Sequence, residues 1–108
     1  MGKPPKLIFL GAADYEVKQR KMIDNNRGLL GATDNEDTTI YIKRCQSPSS
    51  KRDTLLHEVL HALIWLSGYN HSTRLSFEKE ERLVRSLAPW ILAALRDNPE
   101  LVRYLLEE

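Results

Sequence analysis

The chain has 108 residues, 42% hydrophobic and 29% charged, a balance typical of one small globular domain and too apolar for wholesale disorder. Sixteen basic and fifteen acidic residues give a net charge of +1, so no global field favours nucleic acid. Binding nucleic acid would need a local patch of basic residues. The sequence has three short basic groups, each of which we expect only to solvate the surface: Lys18, Arg20 and Lys21; Lys43 and Arg44; Lys51 and Arg52. Nucleic acid is therefore not an expected partner.

The single cysteine and the short apolar runs bear on the compartment. Cys45 is the only cysteine, which excludes an internal disulfide and a zinc site built from a cysteine cluster. A lone thiol fits a reducing compartment. Residues 1–6 lack the hydrophobic region of a signal peptide, and the longest apolar stretch, Val59–Leu66, is too short to span a bilayer. We expect a cytoplasmic protein without a membrane partner.

Short strands are predicted in the first half of the chain. Leu7–Leu10 is an apolar run, and Gly11–Asp14 bends the chain before the alternating segment Tyr15–Lys18. Thr38–Lys43 is the clearest strand because it is rich in β-branched and aromatic residues. With the second candidate strand, Leu29–Thr33, it should form a hairpin. The spacing predicts a small antiparallel sheet.

A long helix should follow the strands. Ser47 has the properties of an N-cap, and Pro48 suits the first helical position. The helix should run to about Ser67, with Gly68 as its stop. Apolar residues lie on nearly every side of this segment, so we expect the helix to be buried in the middle of the fold.

The rest of the chain predicts a loop and two more helices. Tyr69–Leu75 should be the loop, and Ser76 should cap the second helix. Pro89 should kink that helix or divide it near Leu87–Ala88. Residues 98–100 restart a short terminal helix. Together these elements predict an α+β fold in a single domain, residues 1–108.

The pentapeptide His57-Glu58-Val59-Leu60-His61 is an H-E-x-x-H motif on the long helix. Because residues four apart share one helix face, both imidazoles can reach one metal ion. Glu58 is turned about 100° away, where it can deprotonate a metal-activated water rather than bind the metal. Two buried histidines beside a buried glutamate would be costly without a metal. The motif therefore predicts a zinc hydrolase.

A catalytic zinc ion normally needs a third protein ligand. The metzincin pattern would require histidine at position 67, which is Ser67, so that subclass is excluded. His71, Glu80 and Glu81 remain, while Glu78 is expected only to stabilise the start of its helix. Glu80 and Glu81 both precede apolar residues of the packing stripe, so periodicity does not separate them.

The arrangement of these residues resembles the gluzincin group of zinc peptidases. An H-E-x-x-H motif is followed, twenty residues after His61, by a glutamate that opens a helix. Gluzincins often show, after this glutamate, two residues, a small residue, and then an aromatic or aliphatic residue with alanine. Glu81-x-x-Val84-x-x-Leu87-Ala88 fits that spacing, and Glu80 does not. Over roughly residues 29–88 the chain is similar to small ImmA/IrrE-type peptidases and compact metallopeptidase-like proteins of phages and prophages.

This resemblance implies a minimal zincin-like domain in which His57, His61 and Glu81 bind Zn²⁺ and Glu58 is the catalytic base. Many gluzincins also place an aspartate four residues after the glutamate, where it orients a ligating histidine. Here that position is Arg85. We expect another carboxylate to replace it or the ligands to be held less tightly.

The expected activity is zinc-dependent hydrolysis of a peptide or protein substrate. The strand at 38–43 should lie at the sheet edge nearest the cleft and bind extended peptide by strand addition. One alternative is a non-catalytic zinc-binding regulatory or interaction module of phage or prophage origin, because so short a chain has little surface for a deep cleft. A third hypothesis is a DNA-associated protease-like protein of the SprT kind, with His71 as the third ligand.

Overall fold

Four strands are followed by four helices along residues 2–107, the part of the chain that the computed structural model describes. The strands are β1 (Leu7–Leu10), β2 (Ala13–Arg20), β3 (Gly31–Asp34) and β4 (Thr39–Lys43). The helices are α1 (Pro48–Ser67), α2 (Tyr69–Ser72), α3 (Phe77–Asp97) and α4 (Pro99–Leu106). The predicted α+β class, with a sheet followed by a long helix and a short C-terminal helix, is confirmed.

The strands form one mixed sheet in the order β1-β2-β4-β3. The pairs β1–β2 and β3–β4 are antiparallel, so the predicted hairpin is confirmed. β2 and β4 are parallel, with Val17 opposite Ile40, and the expectation of a wholly antiparallel sheet was wrong in this respect. The order follows burial: Tyr15 on β2 and Ile40 and Ile42 on β4 are fully buried at the centre, whereas no residue of the edge strands β1 and β3 is buried.

The edge strand beside α1 is β3, not β4 as expected. β4 lies between β2 and β3, and two of its residues, Ile40 and Ile42, are fully buried. They pack with Tyr15, Val17 and Ala62 in the main core, which lies between the sheet and α1. Within residues 2–107, β3 pairs with β4 on one side only, so its other edge is free of any described strand.

Local signals set both ends of α1 where they were predicted. The hydroxyl of Ser47 accepts a hydrogen bond from the N–H of Ser50 at 3.1 Å. Gly68 adopts φ +75° and its N–H donates to the carbonyl of Trp65 at 3.1 Å, which ends the helix.

Only one side of α1 is buried, contrary to the expectation that it would be covered all round. Its buried residues are Thr54, Glu58, His61 and Ala62, and the helix packs on β3, β4 and α3. Leu63 is 42% exposed, because nothing among residues 2–107 covers the opposite side. The helix therefore lies at the margin of the core.

The region after α1 differs from the prediction in two places. Residues 69–72 form the short helix α2 instead of part of a loop. α3 starts as predicted, with the hydroxyl of Ser76 accepting from the N–H of Lys79 at 3.2 Å, but Pro89 does not divide it. Pro89 is exposed, so water can satisfy the carbonyl that its missing N–H leaves free. A bend there stays a prediction.

α3 lies against α1 and carries the second half of the candidate site. Glu80, Val84 and Ala88 are its buried residues, spaced four apart on one face. This face brings the first turns of α3 to the middle of α1. None of the helices described has an apolar stretch long enough to cross a bilayer.

Candidate metal centre

Three potential ligands meet where α1 and α3 are in contact. The Nε2 atoms of His57 and His61, one turn apart on α1, are 3.3 Å from each other. From α3, Glu81 places one carboxylate oxygen 2.5 Å from Nε2 of His57 and the other 3.4 Å from Nε2 of His61. The group has one ligand atom per residue, all within 4.8 Å of one another. The structure thus brings together the three residues predicted as metal ligands.

The spacing and chemistry of this group suit a zinc ion. Zinc–nitrogen bonds of about 2.0–2.1 Å in a tetrahedron place two ligand atoms roughly 3.3–3.4 Å apart. The His57–His61 separation and one His61–Glu81 separation have this value. The contact of 2.5 Å between His57 and Glu81 is a hydrogen-bond distance instead. Two imidazoles and one carboxylate form a known catalytic zinc donor set that leaves a fourth position open.

Glu80 lies on the far side of the His61 ring from the metal-binding group. Its carboxylate is 2.6 Å from Nδ1 of His61, and both residues are buried. A proton on Nδ1 that is donated to Glu80 leaves Nε2 free to bind a metal. Glu80 is thus placed to orient the His61 ring. The sequence analysis expected such a carboxylate, because Arg85 stands where many gluzincins have an orienting aspartate, but did not identify it.

His71 and Arg85 are both outside the metal-binding group. His71 is on α2, with its ring packed edge-on against Trp65 at a centroid distance of 4.8 Å. The side chain of Arg85 is 76% exposed and approaches Glu81 at only 4.0 Å, so this pair contributes little. Neither residue supports the centre through a close contact.

Glu58 is buried next to the metal-binding group and is held by a residue of the edge strand. The hydroxyl of Thr33 lies 2.8 Å from Oε1 of Glu58 and 3.0 Å from its backbone carbonyl, so it can donate to either. Burial raises the pKa of the Glu58 carboxyl, while the Thr33 hydrogen bond and the nearby His57 and His61 oppose the rise. Thr33 was missed in the sequence analysis, because only the packing of β3 on α1 reveals its contact.

A glycine allows β3 to approach α1 this closely. A Cβ atom added to Gly31 would lie 2.6 Å from Cγ2 of Thr54, 3.0 Å from the carbonyl oxygen of Tyr41 and 3.1 Å from Cγ of Glu58. These distances are shorter than van der Waals contact, and the Tyr41 oxygen belongs to the backbone and cannot rotate away. Gly31 is therefore the residue that lets Thr33 reach Glu58.

An open cavity of about 500 Å³ lies beside β3 and is lined by His61 and Glu81 of the candidate centre and by Glu58. Its acidic lining residues are Asp24, Glu58, Glu80 and Glu81, and His61 adds an imidazole. Apolar side chains complete the wall, among them Leu29, Trp65, Leu75 and Phe77. Cavities of this volume are large enough to take several atoms of a ligand. The centre is therefore accessible through this cavity from the side of β3.

Comparison of the chain with protein-family models, with curated proteins and with solved structures found no match. Membership of the gluzincins therefore stays a prediction that rests on the metal-binding group and on the motif that supplies it.

Proposed function

We propose that this chain is a zinc-dependent peptidase of gluzincin type. His57, His61 and Glu81 hold the zinc ion, and Glu58 is the general base. The observation that carries the proposal is the convergence of two imidazoles and a carboxylate from separate helices beside a buried, hydrogen-bonded second carboxylate. A purely structural ion pair would not require this separate carboxylate in the wall of an open cavity.

The residues of the chain divide the chemistry among them. A zinc ion bound here would lower the pKa of water and polarise a peptide carbonyl. Glu58 accepts the proton of the attacking water and passes it to the leaving nitrogen. Thr33 fixes the direction of the Glu58 carboxylate, and Glu80 keeps the ring of His61 aligned.

The free edge of β3 supports a peptide or protein as substrate. An extended peptide can add to this edge through main-chain hydrogen bonds, which suits substrates of varied sequence. The cavity that contains Glu58 and His61 is also lined by Gly31, Ala32 and Thr33 of the same strand. A peptide paired with β3 would therefore pass directly beside the centre. A free, exposed thiol at Cys45 favours a reducing compartment, and we propose the cytoplasm.

Replacing Glu58 by glutamine tests the proposal. Glu58→Gln should keep about one zinc ion per chain, because Glu58 is not a ligand, while hydrolysis of casein falls by about 100-fold or more. The matched control is Glu78→Gln, an exposed glutamate of α3 that should change neither property. Unchanged hydrolysis in Glu58→Gln would remove this residue from the mechanism.

A second candidate is a zinc-binding interaction module without turnover, of phage or prophage origin. It is favoured by the outer surface of the C-terminal helices, where Trp90 is 76% exposed and Tyr104 is 72% exposed. Large exposed aromatic side chains often mark a protein-binding surface. Stoichiometric zinc with no hydrolysis of casein or other protein substrates would favour this function over the peptidase.

A further inference from the structure

Basic residues from three separate parts of the sequence converge at one end of the sheet. The parallel pairing of β2 with β4 sets Arg20 beside Lys43, and the N–H of Arg44 donates to the carbonyl of Arg20 at 2.7 Å. α1 begins just after this point and carries Lys51 and Arg52 near its N-terminus. An antiparallel pairing of the same two strands would have placed Arg20 and Lys43 at opposite ends. The topology therefore brings basic residues that are far apart in the sequence to the same end of the sheet.

A cavity of about 610 Å³ lies at this end of the molecule, away from the metal centre. Among the described residues that line it, four are cationic and none is acidic; the cations are Lys3, Arg44, Lys51 and Arg52. We call this space the basic cavity. The remaining lining is partly apolar and includes Pro4, Pro5, Pro48 and Leu55. Its volume lies in the range of known ligand sites.

The charges of the basic cavity are not paired with carboxylates of the described part of the chain. Within residues 2–107, no carboxylate forms an ion pair with any of its four cations. Lys51 donates only to a neutral partner, the side-chain oxygen of Gln19, at 2.8 Å.

The position of the basic cavity at a helix start adds to this imbalance. α1 has no acidic residue in its first turn, although carboxylates are favourable at that position and cations are not. Lys51 and Arg52 are the fourth and fifth residues of α1, so their charges lie near the positive end of a long helix. The repulsion among these positive charges raises the energy of the free protein. A bound anion would reduce this repulsion, so the charge pattern points to an anionic ligand.

We propose that the basic cavity binds single-stranded nucleic acid. Its cations are spread over four side chains from three segments, which suits successive phosphates better than one small anion. The concave, partly apolar lining formed by the prolines and Leu55 can accept an unpaired base, whereas the bases of a duplex stay stacked inside the helix. This binding is independent of the proposed peptidase activity.

Fluorescence anisotropy with a labelled oligothymidylate of about 12 nucleotides tests the proposal. The full chain should bind the strand at about 50 mM salt, with a slope of log K against log salt near −3 for about four phosphate contacts. The double variant Arg44→Glu/Arg52→Glu should raise Kd by about tenfold or more. The control Arg82→Glu/Arg103→Glu makes the same change in net charge on α3 and α4 and should change Kd less than about twofold.

Several results would overturn the proposal. No binding at low salt, or an equal loss of affinity in both double variants, would show that the basic cavity is not the site. A duplex of the same sequence that binds as well as the strand would contradict the preference for unpaired bases. Displacement of the strand by an equal concentration of thymidine monophosphate would indicate a small phosphorylated ligand instead. If circular dichroism shows that the reversed variant does not fold, Arg44→Gln/Arg52→Gln replaces it.

Discussion

Glu80 lies 2.6 Å from Nδ1 of His61, and both side chains are buried where α1 meets α3. Because the adjacent residue, Glu81, approaches Nε2 of the same ring, two consecutive glutamates contact opposite nitrogens of one histidine. The periodicity of the sequence could not separate these glutamates, yet their positions predict different effects on metal binding.

Glu81→Ala should remove a ligand and lower zinc affinity by more than about 100-fold, as measured by competition with a chromogenic chelator. Glu80→Ala should lower it by about 10–100-fold, because an orienting partner is lost but all three ligand atoms remain. His71→Ala is the control and should leave affinity unchanged, since its ring packs on Trp65. A larger loss for Glu80→Ala than for Glu81→Ala would reverse the two assignments.

Thr33→Val should impair hydrolysis without affecting zinc content. Valine keeps the shape of threonine but cannot donate the hydrogen bond of 2.8 Å that positions the Glu58 carboxylate. A lost hydrogen bond to a charged group is worth about 1.5–3 kcal/mol, so kcat/KM should fall roughly 10- to 100-fold. The kcat/KM of Thr73→Val, which removes a hydroxyl that donates to the carbonyl of Tyr69 and not to the centre, gives the comparison. Equal kcat/KM in the two variants would show that Thr33 does not assist Glu58.

Short-range signals predicted more of this structure than long-range ones. The ends of α1 were predictable because Ser47 and Gly68 act on the backbone within a few residues. The pair His57 and His61 was predictable because helix geometry alone places them on one face. The place of β4 in the sheet was not predictable from such signals. It depends on how the chain from residue 21 to residue 30 crosses the end of the sheet.

The supporting contacts of the site depend on the same long-range arrangement. Thr33 reaches Glu58 only because β3 is the edge strand and lies on α1. The basic groups around Arg20 and Arg44 were each expected to solvate the surface, and the sequence contains no sign that β2 and β4 would pair in parallel. Residues that act across elements become visible only when the topology is known.

Gly31→Ala should disturb the fold and the site together. The added methyl group would overlap Thr54, Tyr41 and Glu58, so β3 must move away from α1. We expect a loss of about 1–3 kcal/mol in the free energy of unfolding in urea, as for overpacked cores. Hydrolysis should also fall, because Thr33 then no longer reaches Glu58.

The control for this substitution is Gly28→Ala. A methyl group at Gly28 would meet only the side-chain oxygen of Asn26, at 3.3 Å, and that side chain can rotate. The free energy of unfolding should change by less than about 1 kcal/mol. If Gly31→Ala is as mild as Gly28→Ala, the close approach of β3 to α1 does not depend on glycine.

Tyr15→Phe should alter how stability depends on pH. The Tyr15 hydroxyl is fully buried in the core and donates to the side-chain oxygen of Asn35 at 2.9 Å. Burial raises its pKa above the ordinary value of 10.0, so the unfolded chain loses the phenol proton before the folded chain does. The stability of the wild-type protein should therefore be full below pH 10 and decline as pH rises above it.

Urea unfolding of both proteins across this pH range separates the two contributions of Tyr15. At neutral pH the phenylalanine variant should be less stable by about 1 kcal/mol, because the hydrogen bond to Asn35 is lost. Above pH 10 the difference should shrink, because the variant has no phenol to ionise in the unfolded state. Parallel pH curves for the two proteins would mean that the Tyr15 hydroxyl titrates alike in the folded and unfolded chains and is not held in the core.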